Sequence, residues 1–210
     1  MYDLARPQDW WTGIVVAPTL LLTVAHSDIP SAEVVVIDSH ATYVQQIVGS
    51  AADGYIDVMG EVESDWLLVS TAGRVDETVA VILFNSSPVP GTRVRLVGRS
   101  RVGLPDGPLL RCCVEGTVIG RPLFVPDTKD AIYVKTERVD GHGFSGGPML
   151  LADGPDAGAV VGMISEGYQS LIGLPGTIFV ARRIEESMVV PTIEGKRFRA
   201  LGRRRPFGTD

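Results

Sequence analysis

GHGFSGGPML, Gly141 to Leu150, sets four glycines and a proline around one phenylalanine and one serine, then runs into an apolar strand. Glycine loses more backbone freedom on folding than any other residue. A cluster of it beside a single hydroxyl marks either an ordinary tight turn or a backbone that must approach something closely. The surrounding chain decides between these.

Working outward, short β-rich runs recur on both sides. GIVVAPTLLLTVAH reads as a hairpin turning at Ala17-Pro18, and EVVVID (Glu33–Asp38) with ATYVQQIV (Ala41–Val48) as another around Ser39-His40. DWLLVS, ETVAVILF and TRVRLVG follow, then LLRCCVEGTVIG, AIYVKT, GPMLL, AVVGMIS and GTIFVA. They are rich in β-branched residues and punctuated by Gly, Pro, Asn and Asp. Only RRIEESM (Arg182–Met188) has helical composition, predicting one short C-terminal helix. The loops are too short for helical crossovers, so the sheets should be antiparallel. NSSPVPG (Asn85–Gly91) divides the strands into two sets of about six. The expectation is an all-β chain of two six-stranded barrels, residues 10–88 and 89–190, with a cleft between them. Residues 191–210 form a tail or linker.

That tail holds six Lys or Arg between Glu194 and Asp210 against two acids. The whole chain carries 19 basic and 25 acidic residues, so the body keeps 13 and 23, a balance of −10. Such a body repels nucleic acid and anionic membrane and favours basic partners. The basic tail reads as a solvated end or a linker to a further domain. No apolar run approaches the roughly 18 residues of a membrane span. MYDLARPQDWW lacks the basic start and apolar stretch of a secretory signal, so the expected setting is cytoplasmic. The only cysteines, Cys112 and Cys113, are adjacent. They would point to opposite faces of a strand, which suits two reduced small hydrophobes. With so few His and Cys, neither a metal nor a cofactor is expected.

Gly143-Phe144-Ser145-Gly146-Gly147 matches two unrelated chemical devices. The Gly-x-Ser-x-Gly elbow of α/β-hydrolases needs an acid and then a histidine after its serine. The three histidines are His26, His40 and His142, and none follows Ser145. The elbow would have no base, and its parallel sheet is missing. The alternative is a serine whose own loop amides hold an oxyanion, with its partners upstream. His26 ends the apolar run LLLTVAH, and Asp65 opens DWLLVS, 39 residues later and 80 before Ser145. In this order His26 takes the proton of Ser145, Asp65 fixes the imidazole tautomer, and Ser145 attacks a carbonyl. His40 reads as a solvated turn residue, and neither Asp38 nor Asp57 opens an apolar run as Asp65 does.

TVAHS, SDWLLVS, GFSGGPML and VVGMISEG, in this order, resemble the chymotrypsin/trypsin-like serine peptidases in their compact bacterial form. The resemblance covers about Thr12 to Met188 and implies a double β-barrel. It places His26 and Asp65 on the first barrel and Ser145 on the second. It also implies that Gly143 and Ser145 donate the two N–H groups of the oxyanion hole. By the same resemblance Val139, Asp140, His142, Ser165, Glu166 and Gly167 line the substrate site. Val139 would lie at the pocket floor, His142 at its rim, and Ser165–Gly167 would pair with a bound peptide. Ser165 would also hydrogen-bond Asp65 from behind.

Two departures from that family matter. Phe144 stands where zymogens of the family carry an aspartate, and no Ile-Val-Gly-Gly start exists. The chain should therefore fold directly into a competent state, or answer to a regulatory partner or fused domain. Glu166 stands where an aromatic residue is common. The implied activity is a serine endopeptidase acting on a protein or peptide substrate within a larger regulated system. The alternatives are a catalytically silent peptide-binding module and a small-ester hydrolase; the latter is disfavoured because no helical lid is evident.

Overall fold

In the computed structural model, residues 12–27, 34–37, 40–51, 65–71, 79–101, 109–123, 130–137, 139, 141, 143–169 and 176–189 are described. The first half is a five-stranded antiparallel sheet. β1 (Ile14–Ala17) turns at Pro18-Thr19 into β2 (Leu20–Thr23), with Ile14 opposite Leu22. β2 pairs next with β5 (Trp66–Thr71), β5 with β4 (His40–Ala51), and β4 with β3 (Val34–Ile37). His40 is the first residue of β4, opposite Ile37.

The second half closes on itself. β6 (Arg93–Arg101), β7 (Leu109–Ile119), β8 (Ala131–Thr136), β9 (Pro148–Leu151), β10 (Val160–Gln169) and β11 (Thr177–Arg182) form a six-stranded barrel, in the order β10-β11-β8-β7-β6-β9. β9 completes the ring because it pairs with both β10 and β6. On β6, Arg93 and Arg95 face Glu115 across the strand pair while Val94 and Leu96 fill the barrel, the period-2 pattern of a half-buried strand. Phe144, Met149, Ile164 and Phe179 share that interior.

A second apolar cluster joins the halves. Ile14, Leu22, Val24 and Leu68 from the first sheet pack with Val160, Met163 and Ile184 from the barrel side. Full burial of each such side chain stabilises by roughly 1.5–3 kcal/mol. Cys112 and Cys113 are free thiols on β7; Cys112 packs against the barrel core and Cys113 is exposed. Burial, and then Cys113 beside it, raises the Cys112 thiol pKa.

Two expectations need correction. The first half is an open five-stranded sheet among the described residues, not a second closed six-stranded barrel. The described stretch 79–84 does not supply a sixth strand. Its Ala80 N–H donates to Val15 O on β1 at 2.8 Å, but Leu83 N–H and Val81 O bond to Val160 on β10. The segment stitches the two halves together instead of completing one of them. The short C-terminal helix is also absent. Arg182 is still in β11, opposite Ala131, and Ile184 is drawn into the joining cluster. What remains is a single 3-10 turn, Glu186–Met188, too short to repay helix nucleation. The tail 191–210 lies outside the described residues.

Candidate active site

His26 sits in a one-turn 3-10 helix, Ala25–Ser27, just past the end of β2. Asp65 sits just ahead of β5 and is 6% exposed. Because Thr23 pairs with Leu67, the strand ends bring together two residues that are 39 apart in sequence. Asp65 Oδ1 accepts the backbone N–H of Ala25 at 2.9 Å and of His26 at 3.0 Å. Asp65 Oδ2 lies 2.6 Å from His26 Nδ1. Burial pushes the Asp65 pKa up, but the His26 hydrogen bonds and charge, with a smaller pull from Arg182, outweigh it and hold the carboxyl below its ordinary value.

Ser145 lies in the turn that leads into β9. Gly143 and Gly146 take φ of +84° and +81°, values that disfavour side chains. Phe144 between them is 1% exposed, its ring centroid 5.2 Å from that of Phe179, so it anchors the turn in the barrel core. Its replacement by alanine should cost about 3–5 kcal/mol in urea unfolding; a loss under about 1 kcal/mol would show that the ring is not an anchor. A Cβ on Gly146 would lie 2.0 Å from Thr12 O and 2.2 Å from Thr23 Oγ1. Thr23 is three residues before His26, so this close approach sets the serine turn against the strand that delivers the histidine.

The amides of the turn divide cleanly. Phe144 N–H donates to Gly141 O, Gly146 N–H to Ile164 O and Gly147 N–H to Phe144 O. Among the described residues, the N–H groups of Gly143 and Ser145 have no acceptor. The Ser145 hydroxyl donates to Ser165 O at 3.2 Å.

The expected substrate-lining residues are partly gathered. Thr177 Oγ1 accepts Val139 N–H and donates to Val139 O, and Val139 packs on the barrel core. Gly167 stands beside Gly141 and the Phe179 ring. The Glu166 carboxylate accepts the Tyr168 hydroxyl. β9 leaves β10 at Met163, and among the described residues no strand pairs with the edge of β10 beyond it on that side. Asp140 and His142 lie outside the described residues. One expected contact differs: the Ser165 hydroxyl donates to Val180 O at 3.2 Å, not to Asp65. Asp65 already receives three donors from the His26 turn, and the Ser165 side chain satisfies itself on the neighbouring strand.

Sequence reading missed Thr12, Thr23 and Arg182. Arg182 is buried at the end of β11, and among the described residues its Nε and Nη2 have no hydrogen-bond partner. A basic residue directly continuing the apolar run IFVA was the available signal. Among the described residues, no group of three His, Cys, Asp or Glu could hold a metal ion.

A closed barrel beside a second antiparallel sheet, with nearly no helix among the described residues, is a fold this chain shares with solved serine proteases. The HtrA-type protease AlgW with decapeptide is 20% identical at a TM-score of 0.56, covering 82% of this chain and 47% of that one. A variant of AlgW, also with decapeptide, is 18% identical at a TM-score of 0.57, covering 84% and 48%. A mutant, inactive form of Rv3671c from M. tuberculosis H37Rv is 15% identical at 0.56, covering 85% and 77%. The chain thus spans about half the length of the AlgW structures. No protein-family model and no curated protein matches it.

Proposed function

We propose that this chain is a serine endopeptidase in which His26, Asp65 and Ser145 form the triad. The observation that carries the reading is the Asp65 carboxylate, which grips the backbone of the His26 turn and its Nδ1 together. Holding Nδ1 as the donor assigns Nε2 the role of taking a proton from the serine. Gly143 and Ser145 then supply the two unengaged N–H groups for the oxyanion of an acyl-transfer intermediate. The unpaired edge of β10 from Ser165 to Gly167 accepts the peptide as an added antiparallel strand. Phe144, buried in the core, removes the need for a newly cut N-terminus to order the turn. A fluorophosphonate probe with peptide mapping tests this: label should sit on Ser145. A peptide-binding module that does not cut would take no label there.

Within that reading, the substrate side chain before the cleaved bond should be Arg or Lys. Asp140 follows the floor residue Val139, Glu166 lies on the pairing strand, and the body carries the balance of −10. A long basic side chain can lay its methylenes along Val139 and bring its head to a carboxylate. A peptide-library cleavage profile should show this preference, weakened in Asp140→Ala. A profile led by Leu, unchanged in that variant, would overturn it.

A further inference from the structure

Thr12, from the strand-free entry to β1, reaches across to the serine turn, 131 residues away, with both its backbone and its side chain. Its N–H donates to Ser145 O at 2.9 Å and its hydroxyl to Gly143 O at 2.6 Å. Its own carbonyl accepts the Thr23 hydroxyl at 2.8 Å. The Arg99 N–H also donates to Gly143 O, at 3.0 Å.

Peptide planes translate these contacts into orientation. A carbonyl and the next N–H share one rigid plane. The 143–144 plane is held at its oxygen by Thr12 and Arg99 and at its nitrogen by Gly141 O. The 145–146 plane is held by Thr12 N–H and by Ile164 O, and the 144–145 plane accepts Gly147 N–H. Three successive planes are fixed, and Thr12 pins two of them. The Ser145 N–H belongs to the middle one.

We propose that the Thr12 side chain is a positioning residue for the oxyanion turn, holding the Gly143 carbonyl so that the planes on either side of the Ser145 amide plane are fixed before substrate arrives. This rests on the serine-peptidase reading for its catalytic consequence but not for its structural one. Through Thr23 the same residue ties the turn to the strand that leads to His26, so the serine turn and that strand share one clamp.

Thr12→Val is the discriminating variant. Valine keeps the β-branch and leaves both backbone bonds in place, removing only the hydroxyl. Loss of one such bond should cost roughly tenfold in kcat, with KM changed less than about threefold, because an oxyanion forms only in the transition state. Affinity for a peptide boronate should fall by the same factor as kcat, and Thr12→Ser should restore both. Independently of activity, amide hydrogen exchange at Phe144 and Gly146 should quicken about tenfold in Thr12→Val while Val118 and Val134 are unaffected. Unchanged exchange at the turn overturns the proposal whether or not the protein cleaves peptides. Absence of fluorophosphonate label on the wild-type Ser145, with exchange altered as expected, would overturn the peptidase reading alone. A loss confined to KM would assign Thr12 to substrate binding and reject the positioning role.

Discussion

Ser145→Ala protein should unfold in urea within about 1 kcal/mol of wild type and lose turnover by roughly 10⁴-fold or more. The two expectations follow from different facts. The hydroxyl makes one hydrogen bond, to Ser165 O at 3.2 Å, in a half-buried setting, so the fold hardly depends on it. The turn is held instead by backbone contacts to Thr12, Ile164 and Phe144, none of which needs the serine side chain. Chemistry, by contrast, has no substitute for the Oγ, which is the attacking atom of the proposed mechanism. His26→Ala should fall to a similar level, and the double variant little further, because base and nucleophile act as one unit. Initial rates on a peptide ester and on a protein substrate measure this. Comparable cleavage by wild type and Ser145→Ala would sink the proposed mechanism.

Legibility in the sequence followed the range of the forces involved. The β1–β2 hairpin, the alternation along β6 and the placement of Asp65 ahead of β5 are local patterns, and they could be read from spacing. The closure of the first half could not. The residues 79–84 are as β-rich as a strand, but their hydrogen bonds are split between Val15 and Val160, a choice only tertiary packing makes. Arg182–Met188 failed for a related reason: helical composition lost to the burial of Ile184 and the register of β11. At the site, the positions of His26 after one strand and Asp65 before another were local patterns, and the pairing of β2 with β5 sets the two side by side. Thr12 was not legible, since its role depends on contact with a turn 131 residues away and nothing local distinguishes it.

Asp65→Asn should lower turnover about 10⁴-fold, as the same exchange does in trypsin-like enzymes, although the side chain keeps its size. The carboxylate receives three donors on two oxygens: two backbone N–H groups on Oδ1 and His26 Nδ1 on Oδ2. An amide offers one oxygen and one NH₂. If the oxygen stays with the backbone pair, the NH₂ meets Nδ1, which must then accept, and the imidazole proton moves to Nε2, where the serine needs a base. If the oxygen turns to Nδ1, two buried N–H groups lose their acceptor, at about 1–3 kcal/mol each. Either arrangement defeats the site. The stability loss should carry a pH signature of known sign. The Asp65 pKa is depressed in the folded state, so its contribution is present above the unfolded value of about 3.9 and is lost as pH falls through the folded one. Urea unfolding should therefore show a gap between wild type and Asp65→Asn that is full at pH 7 and narrows below about pH 4. A gap that stayed constant down to pH 2 would mean that the carboxylate charge stabilises nothing in the His26 turn, and a variant retaining more than about a tenth of wild-type turnover would remove Asp65 from the triad.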